Sequence, residues 1–190
     1  MSQYRRYYVP GGSYFFTIVT HRRRPLFDDS DRVVQLRSAL RSVISQWPFT
    51  VAAGVILPEH LHFIWTLPPG DHGYSRRIGR MKALFTANLG EPLAADGTTL
   101  SRIKHRDGGI WQRRFWEHVL ADEDDFKRHL DYIHYNPVKH GLATCPHLWP
   151  HSSFHRWVGR GEYDAAWGCQ CGGRAPQAFD FTDISRTAGE

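Results

Sequence analysis

Two histidines separated by one apolar residue, His60 and His62, lie in the run Leu57-Pro-Glu-His-Leu-His-Phe-Ile-Trp-Thr66, and a phenol and an amide four residues apart, Tyr132 and Asn136, lie in His129-Leu-Asp-Tyr-Ile-His-Tyr-Asn-Pro137. On a β-strand alternate residues share a face, so His60 and His62 point together while Leu61, Phe63 and Trp65 turn to the other side and into a core. On a helix, positions four apart lie one above the other, so Tyr132 and Asn136 share a flank. Paired imidazoles suit a divalent ion, which needs at least one further ligand. A tyrosine beside such an ion can attack a phosphodiester that the ion polarises. Each half alone has a plainer reading, as histidines satisfied by hydrogen bonds and as a tyrosine packed on a helix. Their co-occurrence gives the chemistry its weight.

Helical geometry at about 100° per residue separates the candidate nucleophiles. Phe126, Leu130 and Ile133 define the core side of the helix, His129, Tyr132 and Asn136 cluster on its flank, and Tyr135 points nearly opposite the core, toward solvent. Tyr132 is therefore the expected nucleophile, and the Asn136 amide oxygen the expected further ligand. Pro137 biases the residue before it away from helix, so the helix is predicted to end at Asn136. Glu59, beside the histidines, has two readings, orienting a ligand or simple surface solvation, and the second is favoured.

The elements that must position these residues follow from periodicity. Tyr14 to Thr20, rich in aromatic and β-branched residues, predicts a buried strand, which Arg22-Arg-Arg24 interrupts. A helix is predicted to start near Asp31, capped by Asp28, Asp29 or Ser30, with Val33, Leu36, Leu40, Val43 and Ile44 as its apolar stripe and Pro48 as its stop. Phe49 to Ile56 and the histidine strand are predicted to form an antiparallel hairpin. Ser75 to Leu89 predicts a second helix, with Ile78, Met81, Leu84 and Phe85 inward and Arg76, Arg77, Arg80 and Lys82 on the polar side. Gly90 to Gly109 reads as a long loop, and Ile110 to Val119 as containing a further strand. Asp122 to Asp125 suit the start of the tyrosine helix, where acidic groups complement its dipole. The order strand, helix, strand, strand, helix, strand is α+β, a ferredoxin-like antiparallel sheet with helices packed on one face and the tyrosine helix added on the open side. A catalytic domain is expected over residues 1–167, followed by a flexible tail over 168–190 whose last fifteen or so residues are disordered.

Composition narrows the partners. The chain has 190 residues, a formal charge of +5 and 12 histidines, a size for one compact domain and a balance that favours a polyanion. Aromatic and basic residues interleave in Tyr4-Arg-Arg-Tyr-Tyr8, Trp111-Gln-Arg-Arg-Phe-Trp116 and Phe154-His-Arg-Trp157. Cations hold phosphates and aromatic faces stack on unpaired bases, which points to single-stranded nucleic acid. Arg5, Arg6, Arg113 and Arg114 are the expected DNA contacts, although Arg113 and Arg114 could instead pair with acidic residues such as Glu117. Three cysteines are an odd number, so disulfides are not expected to organise the fold. Cys169-Gln-Cys171 with Cys145 or a nearby His is a minor metal candidate, its spacing less regular than that of a typical zinc site. No apolar run approaches the roughly 20 residues that span a bilayer, and Met1-Ser-Gln-Tyr-Arg-Arg lacks a following signal core, so the chain is read as cytoplasmic with no membrane partner.

Pro58-Glu-His-Leu-His62, Trp111-Gln-Arg-Arg-Phe-Trp-Glu-His118, Tyr132-Ile-His-Tyr-Asn-Pro-Val-Lys-His-Gly-Leu142 and Ser152-Ser-Phe154 together resemble the REP-associated tyrosine transposases, relatives of the single-strand transposases of bacterial insertion sequences. The similarity runs from about Tyr4 to Trp167. It implies a ferredoxin-like fold, His60 and His62 as metal ligands, Tyr132 as nucleophile, and Asn136 where relatives carry a Gln or Asn ligand. It further implies cleavage of single-stranded DNA beside palindromic hairpin repeats through a 5′-phosphotyrosine, with Mg²⁺ or Mn²⁺ as cofactor. Nitrogen ligands are unusual on Mg²⁺ and favour Mn²⁺. Monomer and homodimer are both compatible with the resemblance. The competing readings are a non-catalytic protein that binds the same repeats and an RNA-binding module; neither needs the set His60, His62, Tyr132 and Asn136.

Overall fold

The computed structural model describes residues 7–90, 109–171 and 179–188. The strands β1 (Ser13–Val19), β2 (Thr50–Ile56), β3 (His60–Thr66) and β4 (Trp116–Val119) form one antiparallel sheet in the order β2-β3-β1-β4. That is the ferredoxin-like arrangement, so the predicted fold class holds. The loop expected over Gly90 to Gly109 lies largely outside the described residues.

The helices α1 (Ser30–Gln46) and α2 (Tyr74–Asn88) cover one face. Asp29 caps α1 by accepting from the Asp31 amide, and the helix stops one residue before Trp47 and Pro48. Val33, Leu36, Ala39 and Val43 of α1 meet Ile78, Met81 and Phe85 of α2 and the inward residues of the sheet, including Tyr14, Phe16, Leu61, Phe63 and Trp65. Each large apolar side chain so buried contributes roughly 1.5–3 kcal/mol. One predicted polar position is corrected. Arg77 is 1% exposed, because its guanidinium donates to both Asp71 carboxylate oxygens at 2.6 and 3.0 Å and to the carbonyls of Trp47 and Pro48. A buried cation is tolerated when it is paired and well hydrogen-bonded, as Arg77 is here with four such bonds.

The long helix α3 (Glu123–Lys139) crosses the opposite face, packing Leu130, Tyr132 and Ile133 against Phe15, Ala53, Val55 and Ile64. Asp122 caps it by accepting from the Asp125 amide. Against expectation α3 does not end at Asn136. Pro137 lies inside it, and the final turn closes by bonds from His140 N to Asn136 O and from Leu142 N to Pro137 O, at 3.0 and 2.9 Å. Burial of Pro137 and Val138 against the domain outweighs the local bias of the X-Pro bond.

The edge of β2 is covered by the segment after α3. Ile56 N donates to His151 O, Ser153 N to Gly54 O, and Ser153 Oγ accepts from Gly54 N. Covering an edge in this way prevents pairing with another chain. The short helix α4 (Phe154–Val158) follows, and its Arg156 and Trp157 side chains donate to the carbonyls of β2. Phe154, Arg156 and Trp157 of the Phe154-His-Arg-Trp157 cluster thus make contacts within the fold, and so does Trp111, which is 6% exposed between Phe27 and Phe85.

Two expectations concern the C-terminal part, and the one about the cysteines is corrected. Within the segment read as a flexible tail, α5 (Thr182–Ala188) is a helix with Ile184 and Ala188 buried, and Arg128 of α3 pairs with Asp183 at 2.9 Å; residues 172–178, 189 and 190 of that segment lie outside the described residues. Despite the odd cysteine count, Cys145 and Cys169 are joined as a disulfide, which ties the stretch after α3 to the stretch before α5.

Candidate active site

The pleat of β3 delivers both histidines to the α3 face. His62 pairs across the sheet with Thr17 of β1, and His60 with Val19. The two rings lie 4.9 Å apart, and both residues are buried. Each is held through Nδ1: Glu59 Oε1 lies 3.0 Å from Nδ1 of His60, and Thr17 Oγ1 lies 3.1 Å from Nδ1 of His62. A carboxylate or hydroxyl on the far nitrogen of a ligating imidazole fixes its tautomer and orientation. The favoured reading of Glu59 as a solvated surface residue is therefore corrected. The hydrogen bond from His60 holds its carboxyl below the ordinary glutamate value against the opposing effect of burial.

α3 brings the phenol to the histidines. The ring of Tyr132 lies 5.3 Å from that of His62, edge to face, and Tyr132 and Asn136 are both fully buried. Phe15 below and Phe181 from the chain before α5 close around the phenol at 5.9 and 5.5 Å. The structure thus gathers His60, His62 and Tyr132 at one sheet–helix interface, with Asn136 buried one turn further along α3. Tyr135 is not the solvent-facing residue expected. It packs against Trp167 and Phe179, and its hydroxyl accepts from Gln170 Nε2 at 2.9 Å.

Because α3 continues through Pro137, two residues missed in the sequence join the site. Lys139 Nζ lies 3.4 Å from Tyr132 Oη and 5.0 Å from its ring centroid, and the ring of His140 lies 5.2 Å from that of His60. A signal for Lys139 exists in the sequence, since it is seven residues beyond Tyr132 and falls within about 20° of it on the wheel. That signal carries no weight for a helix expected to stop at Asn136.

A second polar cluster lies at the start of α3. Ligand atoms of His118, Asp125 and His129 all fall within 4.8 Å of one another. Asp125 Oδ2 lies 2.8 Å from His118 Nε2 and accepts from the Ala121 amide, and Asp125 Oδ1 lies 2.9 Å from His129 Nδ1. Burial drives the His129 pKa down and favours neutral imidazole there. This network joins β4 to the first turn of α3.

Of the expected DNA contacts, Arg113 and Arg114 are both exposed in the loop leading into β4, and Arg5 and Arg6 lie outside the described residues. The turn His21–Arg23 lies next to Thr20, whose hydroxyl is bonded to Glu59 O and Arg24 O, so the Arg22-Arg-Arg24 run sits at the His60 end of the sheet. Arg22 and Arg23 adopt φ of 54° and 50°, a left-handed conformation uncommon for non-glycine residues.

A ferredoxin-like sheet presenting paired histidines to a tyrosine-bearing helix defines the chain as an α+β domain of the tyrosine transposase class. No family model matches the chain. It is 42% identical over its whole length to the REP-associated tyrosine transposase of Escherichia coli, covering 98% of that protein, and 45% identical over 88% of its length to a candidate REP-associated tyrosine transposase of Haemophilus influenzae, covering 94% of it. Among solved structures, it resembles a REP-associated tyrosine transposase bound to a REP hairpin, with a TM-score of 0.77, 38% identity, and coverage of 96% of this chain and 100% of the other. The chain belongs to the REP-associated tyrosine transposases.

Proposed function

We propose that this transposase cleaves and rejoins single-stranded DNA beside palindromic hairpin repeats through a 5′-phosphotyrosine on Tyr132. The observation that carries the proposal is the placement of the Tyr132 ring 5.3 Å from His62, itself 4.9 Å from His60, with all three side chains buried. Support for the substrate comes from the relative solved with a REP hairpin bound.

The donor set fits a divalent ion. With Nδ1 of both histidines engaged by Glu59 and Thr17, Nε2 of each ring would coordinate a bound ion, and the buried Asn136 Oδ1 would contribute an amide oxygen. Mixed nitrogen and oxygen ligands accept Mn²⁺ more readily than Mg²⁺, although either serves. A cation held there supplies Lewis acidity to the scissile phosphate.

The chain's own residues do the rest. The phosphodiester reaches Tyr132 once the side chains that enclose it, Phe181 among them, move aside. The Tyr132 hydroxyl gives up its proton to solvent and Oη attacks phosphorus. The bond from phosphorus to the 3′ oxygen breaks, and that oxygen takes up a proton as the free 3′-OH. Lys139, within 3.4 Å of Oη, stabilises the phenolate. Attack by another 3′-OH on the phosphotyrosine reverses the step and joins strands without a nucleoside triphosphate. Arg113 and Arg114, with Arg5 and Arg6, grip the phosphates flanking the hairpin foot.

Incubation with end-labelled hairpin DNA and Mn²⁺ tests this. An adduct that survives SDS should form with the wild-type chain and with Tyr135→Phe, and should be lost in Tyr132→Phe. An adduct that persists in Tyr132→Phe and disappears in Tyr135→Phe overturns the assignment.

A further inference from the structure

Beside α3, next to Tyr135, three sulfurs and an imidazole converge. Cys145 and His147 flank Pro146 at the turn Pro146–Leu148, and Cys169 and Cys171 flank Gln170 in the stretch that follows Gly168. The two stretches are joined by a hydrogen bond from Gln170 N to Thr144 O at 2.9 Å. Cys145 and Cys169 are linked, Cys171 Sγ lies 2.7 Å from Cys145 Sγ, and the ligand atoms of Cys145, His147 and Cys169 all lie within 4.8 Å of one another. The Cys171 amide donates to Cys169 Sγ at 3.4 Å, and Thr144 Oγ1 lies 3.2 Å from Cys171 Sγ, both groups that stabilise thiolate. His147 Nδ1 is buried and has no hydrogen-bond partner among the described residues.

A disulfide accounts for two of these four groups. It leaves a third sulfur 2.7 Å from one of its members and an imidazole with a ring nitrogen within 4.8 Å of both members. One ion accounts for all four. Three thiolates and one imidazole, two from each of two paired stretches, form the closed four-ligand set of a structural zinc site, and soft sulfur ligands select zinc over the harder ions suited to the histidine pocket.

We propose that Cys145, His147, Cys169 and Cys171 form a structural Zn²⁺ site in the thiol state of the protein. Two equivalents of a small thiol reduce the Cys145–Cys169 bond, giving two cysteine thiols and one oxidised disulfide of the reductant. Zn²⁺ then displaces three protons from the three thiols and takes a lone pair from His147, leaving a site of net charge −1. The ion clips the stretch after α3 to Gly168–Cys171. Gln170 in that segment donates to Tyr135, so the clip braces α3 one turn from Tyr132.

The test uses the full chain purified in a phosphine reductant. Zinc should survive desalting at about one ion per chain, as for a closed structural site, and be released when a mercurial blocks the thiols. Replacement by Co²⁺ should give thiolate-to-cobalt charge transfer and the intense visible bands of tetrahedral cobalt. Cys171→Ser should lose both the retained zinc and that charge transfer, while His60→Ala should keep them, which separates this site from the histidine pocket. Absence of zinc from the reduced wild-type chain, cobalt bands without thiolate charge transfer, or a spectrum unchanged in Cys171→Ser would each overturn the proposal. The first two readings are made on the wild-type chain, so a Cys171→Ser variant that fails to fold does not shield it.

Discussion

Lys139 Nζ stands 3.4 Å from Tyr132 Oη on the same helix, two turns further on, with its ammonium 5.0 Å from the centre of the phenol ring. In the mechanism proposed above, a cation this close lowers the cost of forming phenolate, and it is in place only because α3 continues through Pro137. Lys139→Met is expected to slow formation of the covalent adduct by about 10²-fold, the cost typical of removing one donor from a developing anion. Hairpin binding should stay within a few fold, and Lys139→Arg should restore part of the rate. An unchanged single-turnover rate in Lys139→Met would remove this role.

Glu59 bonds Nδ1 of His60, so in the proposed metal site its loss should weaken ion binding without deleting a ligand. Glu59→Gln is expected to raise the Mn²⁺ concentration for half-maximal cleavage by about 10- to 100-fold, in line with other supporting groups of metal sites. His60→Ala or His62→Ala should abolish cleavage at any Mn²⁺ concentration, with hairpin affinity within a few fold of wild type. Cleavage that continues in EDTA would contradict all three expectations.

Arg113 and Arg114 are exposed at the approach to β4, with Phe115 beside them half-buried. Replacing both with Ala is expected to weaken hairpin binding and to reduce the slope of log affinity against log salt by about 1 for each phosphate no longer neutralised. The Arg5 and Arg6 pair should behave alike. Identical salt slopes in wild type and both double variants, measured by fluorescence anisotropy, would place the phosphate-gripping surface elsewhere.

Asp71 is held well below the usual carboxylate range, to about 2, first by the Arg77 guanidinium and then by the Gly73 amide. The folded-state pKa is depressed, so the stability it contributes is fully present above the unfolded value near 3.8 and is lost as pH falls toward about 2. At pH 7 Asp71→Asn is expected to cost on the order of 2 kcal/mol, allowing for the partial exposure of the carboxylate and the buried Arg77 charge it leaves behind. The gap between wild type and variant in denaturant melts should narrow between pH 3.8 and 2. A gap that stays constant over that window would show that the pair contributes through packing alone.

His60 and His62 are legible in the sequence because the period of a strand is two whatever surrounds it, and the apolar alternates Leu61, Phe63 and Trp65 say which side is core. Tyr132 and Asn136 are legible for the parallel reason on a helix, and the order of elements points to the ferredoxin-like sheet. These are properties of one element at a time, and local periodicity carries them.

What only the tertiary structure decided involves residues from distant parts of the chain. Arg77 is buried because Asp71 and two carbonyls beyond α1 meet it, which no pattern within α2 reveals. Tyr135 lies on the wheel's outer side, yet Trp167 and Phe179 cover it. Basic and aromatic neighbours look alike in sequence whether they read DNA or fill a core. Trp111 and Phe154 are buried, whereas Arg113 and Arg114 face outward. α3 outlasts the proline rule because burial of Pro137 and Val138 outweighs the local bias, and Lys139 and His140 enter the site only as a result. The sequence determined which side chains could do the chemistry, through short-range geometry. Burial and pairing across the fold decided which of them meet, because those energies depend on contacts between residues that the chain itself keeps far apart.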